Sequence, residues 1–596
     1  MKPYQSGPWH RAIDNLLLLA VIASSRAAAQ PQVDWMRKNA IPLKTVEAGN
    51  GFDDMQPLKK VIGDARIVSL GEATHGTREF FQLKHRMIEF LASQMGFTIF
   101  SIEANMPEAY RLNDYVLNGT GDPRQLLKGT YFWTWDTDEV LNMILWMREF
   151  NRSGKGMIEF TGFDMQTPTV AMDIVRTFVS AQDPSYYTTL EPIYQDVTRV
   201  VQPNQSRIGV TNASLPLQAP AGKHVKYTGY IKTEGITQGY AALWWRVDGE
   251  KGSKPLAFDN MQDRGATGTT PWTRYEISLD VPANATNIYF GVLHRGDGTA
   301  WFDSLQVEID GVPYTGTDQF DFDFESESLR GFHPGGDGYD IGLDKDRSHT
   351  GKQSLRIRPR EEQTSSNQNN NEKQSAYLLS QSCKQVVDRL ESNRANFVRA
   401  GSSADRIDWA IQNARVVLQS VQMKSGEKTR DESMAENVKW IADHNPNAKL
   451  VLWAHNGHVA YTDYPGTHSM GSYLHKMFGG KLVTFGLAFN EGSFQAVETN
   501  KKLRAFTVGP APADSLDRTL AATGIPLFAL DLRNLPKNKD KDGPVAQWFS
   551  GNHASRSIGS GYSDALAPSL WSTAPANESY DAILFVEKTT AAHPNP

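Results

Sequence analysis

Seven apolar runs stand out along the chain, at residues 66–70, 97–102, 157–163, 449–454, 482–487, 526–530 and 582–586. They are rich in β-branched and aromatic residues and too short for helices, so each predicts a buried strand. Stretches of helical spacing separate them. After the first run, Phe80, Leu83, Met87, Ile88 and Leu91 recur on one helical face, and Gly96 ends the pattern. Continuous apolar strands alternating with helices predict an α/β fold, with a largely parallel sheet covered by helices on both faces. The ligand crevice of such a sheet lies beyond the carboxyl ends of its strands. Glu72, Glu103, Asp164 and His455 all fall at those ends.

Between residues 207 and 363 the pattern changes. Short aromatic-rich segments alternate with Gly, Asp and Asn turns, as in His224-Val-Lys-Tyr-Thr-Gly-Tyr-Ile and Ala300-Trp-Phe-Asp-Ser-Leu. This predicts an inserted all-β sandwich large enough to be a domain. Residues 364–376 are polar and low in complexity, and read as a linker. Residues 30–206 and 377–596 then form the two parts of one α/β domain. At the start, His10 and Arg11 precede an apolar core at residues 16–22 and an alanine-rich stretch. Residues 1–29 therefore read as a signal peptide, and the protein is expected to be exported, periplasmic or extracellular. No other stretch approaches the ~20 apolar residues of a transmembrane helix, so no transmembrane segment is expected.

A chain of 596 residues exceeds what one hydrophobic core usually supports, which agrees with more than one domain. Its formal charge of -6 holds no concentrated basic stretch, so no nucleic acid partner is expected. Cys383 is the single cysteine, which rules out an intramolecular disulfide.

The chain holds no Gly-x-Ser-x-Gly elbow, no phosphate-binding Gly-x-x-x-x-Gly-Lys-[Ser/Thr], no His-Glu-x-x-His and no Gly-x-Gly-x-x-Gly. A Glu/His set remains. Glu72 and His75 sit three residues apart where a strand hands over to a helix. A histidine takes a proton from water near neutral pH, and a carboxylate beside it fixes its tautomer. Structural capping of the helix start is the other reading of this pair. Lys84 and Glu103 add a cation and a second carboxylate. His455-Asn-Gly-His458 places two histidines at another strand end. Glutamate and histidine are also metal ligands, but no spacing here matches a metal template, and no cofactor is expected.

Taken together, Gly71-Glu-Ala-Thr-His-Gly-Thr-Arg-Glu-Phe-Phe, Ser101-Ile-Glu-Ala, Phe160-Thr-Gly-Phe-Asp-Met-Gln, Thr429-Arg-Asp-Glu-Ser-Met-Ala-Glu-Asn, Trp453-Ala-His-Asn-Gly-His and Met470-Gly-Ser-Tyr-Leu-His resemble the erythromycin esterase family. The resemblance implies a hydrolase that opens a macrolide lactone or related small-molecule ester with activated water and without a metal. It implies His75 as general base, Glu72 and Glu103 as the acidic residues around it, and Arg430, His455 and His458 as the other catalytic groups. Lys84, at a position often held by arginine, and Asp164 are expected to bind substrate. A glycan-binding protein with an inactive α/β domain, and a metal-dependent hydrolase using the same residues, are the alternatives.

The inserted segment resembles a jelly-roll carbohydrate-binding module whose start, Phe322-Asp-Phe-Glu-Ser, follows its end, as in a circular permutation. Trp244, Trp245 and Trp301 would then either stack on a glycan or form the sandwich core.

Overall fold

The computed structural model describes residues 30–201, 208–216, 219–250, 255–315, 319–336, 338–360, 366–463, 466–498, 503–536 and 543–595. The expected signal peptide lies outside them. Contacts divide the chain into two compact units, residues 1–166 with 429–596, and residues 167–428.

In the first unit the apolar runs form one sheet, in the order Ile41–Pro42, Leu527–Asp531, Ala582–Thr589, Leu482–Val497, Ile67–Leu70, Leu450–Trp453, Ile99–Asn105, Glu159–Asp164, with Leu503–Val508 beside Leu482–Val497. The pairings from Ala582–Thr589 through to Glu159–Asp164 are parallel, and those involving Ile41–Pro42, Leu503–Val508 and Leu527–Asp531 are antiparallel. The sheet is thus mixed, with the expected parallel run at its centre. Ile67–Leu70 and Leu450–Trp453 are buried along their whole length, which is why they read as unbroken apolar runs.

Four neighbouring strands carry the polar tips. Ile67–Leu70, Leu450–Trp453, Ile99–Asn105 and Glu159–Asp164 are consecutive in the sheet and run parallel, so their carboxyl ends line one edge. The helix Arg78–Met95 buries Phe80, Leu83, Met87, Ile88 and Leu91 as its spacing predicts, and ends on Gly96 in the left-handed region (φ 71°). The helix Met106–Asn118 starts directly from the strand carrying Glu103, with Pro107 in its first turn.

In the second unit, ten antiparallel strands between Ile208 and Pro359 curl around a common apolar core, which bears out the inserted all-β domain. The strand His224–Asp248 pairs with Thr299–Ile309 in its first half and with Asn287–Gly296 in its second. Gly239 lies between the halves at φ 88°, where a Cβ would run into the Arg295 carbonyl. Trp244, Trp245 and Trp301 are buried. Trp244 Nε1 donates to the Thr211 carbonyl and Trp301 Nε1 to Asp344. Trp244 and Trp245 belong to the sandwich core, Trp301 is buried outside it with Arg347 4.7 Å over its ring, and none is exposed for stacking on a glycan.

The helices Thr169–Gln182, Pro184–Val201, Ser366–Ser392 and Ala404–Ser425 pack on one another and group with this unit rather than with the parallel sheet. The sequence-based divisions at 206/207 and 376/377 do not make that grouping. The run read as a linker is helical from Ser366. It is polar but holds neither Gly nor Pro, so nothing in it stops a helix that is already needed from Tyr377 onward.

Candidate active site

Glu72 is the centre of the first half of the site. It is fully buried, and three donors surround its carboxyl group. His75 Nδ1 donates to Oε1 at 2.7 Å, while Lys84 Nζ and Trp453 Nε1 donate to Oε2 at 2.7 and 2.8 Å. The bond from Nδ1 puts the ring proton there and leaves a lone pair on His75 Nε2. Lys84 is also fully buried, 4.4 Å above the Trp453 ring. Burial lowers its pKa to about 8, against the pull of Glu72, which holds the proton on.

Glu103 is the centre of the second half. Arg430 Nη2 donates to its Oε1 at 2.7 Å, and the His455 backbone N–H to its Oε2 at 2.9 Å. Burial works against its charge, but His458, Arg430 and His75 and the His455 N–H hold its carboxyl well below the usual carboxylate range. Arg430 also grips Asp164 in two places, through Nε at 3.2 Å and Nη2 at 2.7 Å. The Met165 backbone N–H and the Gln166 amide complete Asp164's partners.

The two histidines of the His455-Asn-Gly-His458 turn differ in character. Gly457 N–H donates to His455 Nδ1 at 3.2 Å, so the ring proton sits on Nε2. That Nε2 is buried and has no hydrogen-bond partner among the described residues. Burial, with His75 and His458 nearby, pushes the pKa of His455 down to about 3. A neutral ring with one unspent N–H therefore faces the His75 ring, with the centroids 5.1 Å apart. His458 Nδ1 donates to Asp431 at 2.8 Å, while its Nε2 lies 3.0 Å from Arg430 Nη1 and 3.4 Å from Glu103 Oε1. Burial disfavours its charge, but Glu103 and Asp431 outweigh that and raise its pKa. The contact with Arg430 suits the neutral ring and the one with Glu103 the protonated ring.

The structure thus brings Glu72, His75, Lys84, Glu103, Asp164, Arg430, His455 and His458 together on one edge of the sheet. Lys84 and Asp164, expected to bind substrate, are fully buried, Lys84 bonded to Glu72 and Asp164 to Arg430. Four further residues escaped the sequence reading. Trp453 bonds Glu72, and Asp431 orients His458. Trp135 donates its Nε1 to the Glu103 carbonyl at 2.9 Å and sets its ring edge-on to His75. Glu108, in the first turn of the helix after Glu103, is buried, and neither carboxyl oxygen has a hydrogen-bond partner among the described residues. Burial raises its pKa to about 8, and Asp164 nearby adds to the rise. The aromatic run 131–135 and the acidic residue beside Arg430 were the signals available. Among the described residues, no three His, Cys, Asp or Glu side chains converge as metal ligands.

A family model described as erythromycin esterase matches residues 92–233 and 343–589. The chain belongs to the erythromycin esterase family. Of the site residues, Glu103, Asp164, Arg430, His455 and His458 lie within the matched erythromycin esterase spans, whereas Glu72, His75 and Lys84 precede them. The erythromycin esterase type II of Escherichia coli is 36% identical over 156 residues, 25% of this chain and 36% of that relative. The alignment thus spans about a third of the relative's length. A Bacillus cereus protein of known structure is 18% identical with a TM-score of 0.59, covering 95% of this chain and 99% of its own. A succinoglycan biosynthesis protein is 19% identical with a TM-score of 0.57, covering 96% of this chain and 100% of its own. These two likenesses show the fold.

Proposed function

We propose that the protein hydrolyses a carboxylic ester, a macrolide lactone or a related small molecule, with a water activated by His75. The observation that carries this reading is the facing pair of rings. His75 offers a lone pair whose tautomer Glu72 fixes, and His455 offers an unspent N–H. A water bound at His75 Nε2 gives up a proton as it attacks the ester carbonyl. The carbonyl oxygen gains negative charge and accepts the His455 Nε2–H, an unspent donor on the ring beside His75. When the tetrahedral intermediate collapses, the alkoxide leaves with a proton from protonated His75 or from His458. Arg430 holds Glu103 and Asp164, which keeps the His455 turn in place through its backbone N–H. No acyl-enzyme forms on this route, in keeping with the missing serine elbow.

Membership of the family and the Escherichia coli relative's name support the macrolide reading of the substrate. Incubation of the purified protein with a panel of macrolides, followed by mass spectrometry, is expected to show addition of one water. His75→Ala protein is expected to show none. Wild-type turnover by that variant would sink the assignment. Export is part of the same reading and rests on residues 1–29 alone. Cell fractionation is expected to find the protein outside the cytoplasm.

A further inference from the structure

Two histidines of the site each pair through Nδ1 with a carboxylate. Glu72 holds His75 at 2.7 Å, and Asp431 holds His458 at 2.8 Å. The two pairs differ in setting. The Glu72 side chain is fully buried and bonded to Lys84, whereas the side chains of His458 and Asp431 are 21% and 15% exposed. The His458 pair is open to a substrate arriving from solvent, and Arg430, 23% exposed, stands beside it.

Asp431 lies in the first turn of the helix Arg430–His444. Its Oδ1 also accepts the backbone N–H of Met470 at 2.8 Å, where the helix Met470–Phe478 begins. Tied to two helix starts, this carboxylate has little room to swing, and it can only accept from the ring. His458 therefore keeps a proton on Nδ1, and the proton it gains or loses is the one on Nε2. The ionisable groups facing the ring are Asp431, Arg430, Glu103 and His455. Glu103 and Asp431 favour the charged ring while burial and Arg430 oppose it, and the carboxylates prevail. His75 thus offers a lone pair on one side of the site, and His458 a proton on the other.

We infer that Asp431 is a positioning residue of the hydrolase, holding His458 so that its Nε2–H protonates the leaving alcohol. This rests on the ester-hydrolase reading. As the tetrahedral intermediate collapses, the bond from carbon to the alcohol oxygen breaks, the electron pair stays on that oxygen, and the oxygen takes the Nε2 proton. The acid product keeps the oxygen of the water, His75 holds one of the water's protons, and both rings reset by exchange with solvent.

Asp431→Asn keeps an oxygen for the Met470 N–H and removes the charge, and two measurements on the full-length protein use it. The first is an NMR titration of the histidines, with His458 assigned through His458→Gln, and it needs no turnover. Wild-type His458 is expected to show the Nδ1–H tautomer once neutral, and the variant to titrate about one pH unit lower or more. An Nε2–H tautomer or an unmoved titration overturns the proposal, and the tautomer is read on the wild type even if the variant fails to fold. The second is the pH profile of kcat on the ester turned over best. The alkaline decline is expected about one pH unit lower in the variant, a loss of about tenfold at alkaline pH with KM little changed. In a His458→Gln background Asp431→Asn is expected to add nothing. An unshifted decline, the outcome if His75 returns its own proton, overturns the proposal. So does a full further loss in the His458→Gln background, the outcome of a merely structural role. A wild-type protein that hydrolyses no ester removes the hydrolase reading and this one with it, whereas hydrolysis with either of those two results removes this one alone.

Discussion

His455 owes its chemistry to Gly457, whose backbone N–H occupies Nδ1 and leaves the proton on a buried Nε2 with no hydrogen-bond partner among the described residues. His455→Asn is expected to lower kcat by roughly a hundredfold or more, the usual cost of losing one such donor, with KM little changed. Steady-state kinetics on the best ester found would check it. Glu108 gives a prediction about stability. Its folded pKa, about 8, lies above that of an unfolded glutamate near 4.3. The folded state therefore keeps a proton that the unfolded state loses across this window. The stability that this proton supplies is whole below about pH 4 and declines as pH rises toward 8. Glu108→Gln is expected to flatten that decline by an order of a few kcal/mol, read from urea unfolding at pH 5 and pH 8. Glu72, His75 and the two downstream histidines were legible because each stands beside a strand end in a short polar string. Trp453 was not, because its bond to Glu72 joins residues 381 positions apart, and nothing local marks which apolar residue will supply a donor.

The helix Arg78–Met95 makes a contact that the sequence could not reveal. Its inner face places Lys84 under Glu72. Lys84→Met is expected to destabilise the protein by about 3–5 kcal/mol, because it leaves a buried carboxylate short of its cation. Lys84→Arg, with a longer planar head, is expected to fold but to lower kcat by moving Glu72. Thermal melts beside kinetics separate the two effects. The loop before this helix is tight. A Cβ at Gly76 would run into the Gln495 carbonyl, so Gly76→Ala is expected to lower the melting temperature. The apolar runs were readable as strands because parallel strands buried on both faces leave little room for polar residues. The polar run from Ser366 was unreadable as helix for the opposite reason. Little of it is apolar, and composition alone does not separate a solvated helix from a loop.

On the scale of the whole molecule, the pattern along the chain revealed an α/β sheet with an all-β insertion. It did not reveal that the helices flanking the insertion group with it. Helical spacing shows that a face will be buried, not what will bury it. For the same reason the tryptophans of the insertion could be read two ways until burial decided between them. The hydrolase reading has a global test. Ester hydrolysis is expected to survive exhaustive chelation at full rate, and loss restored by a divalent metal would favour the metal-dependent alternative.

The three donors around Glu72 set a practical condition for anyone who wants to reuse this base. Grafting Glu-x-x-His onto a strand-to-helix corner of another scaffold would copy His75 and its immediate neighbour, yet leave the second carboxyl oxygen facing nothing. The smallest portable unit is larger. It takes the strand, the corner, two turns of the following helix as far as the lysine, and an indole from the adjacent strand. A designer who counts only the motif would build a carboxylate free to swing, and a histidine that swings with it.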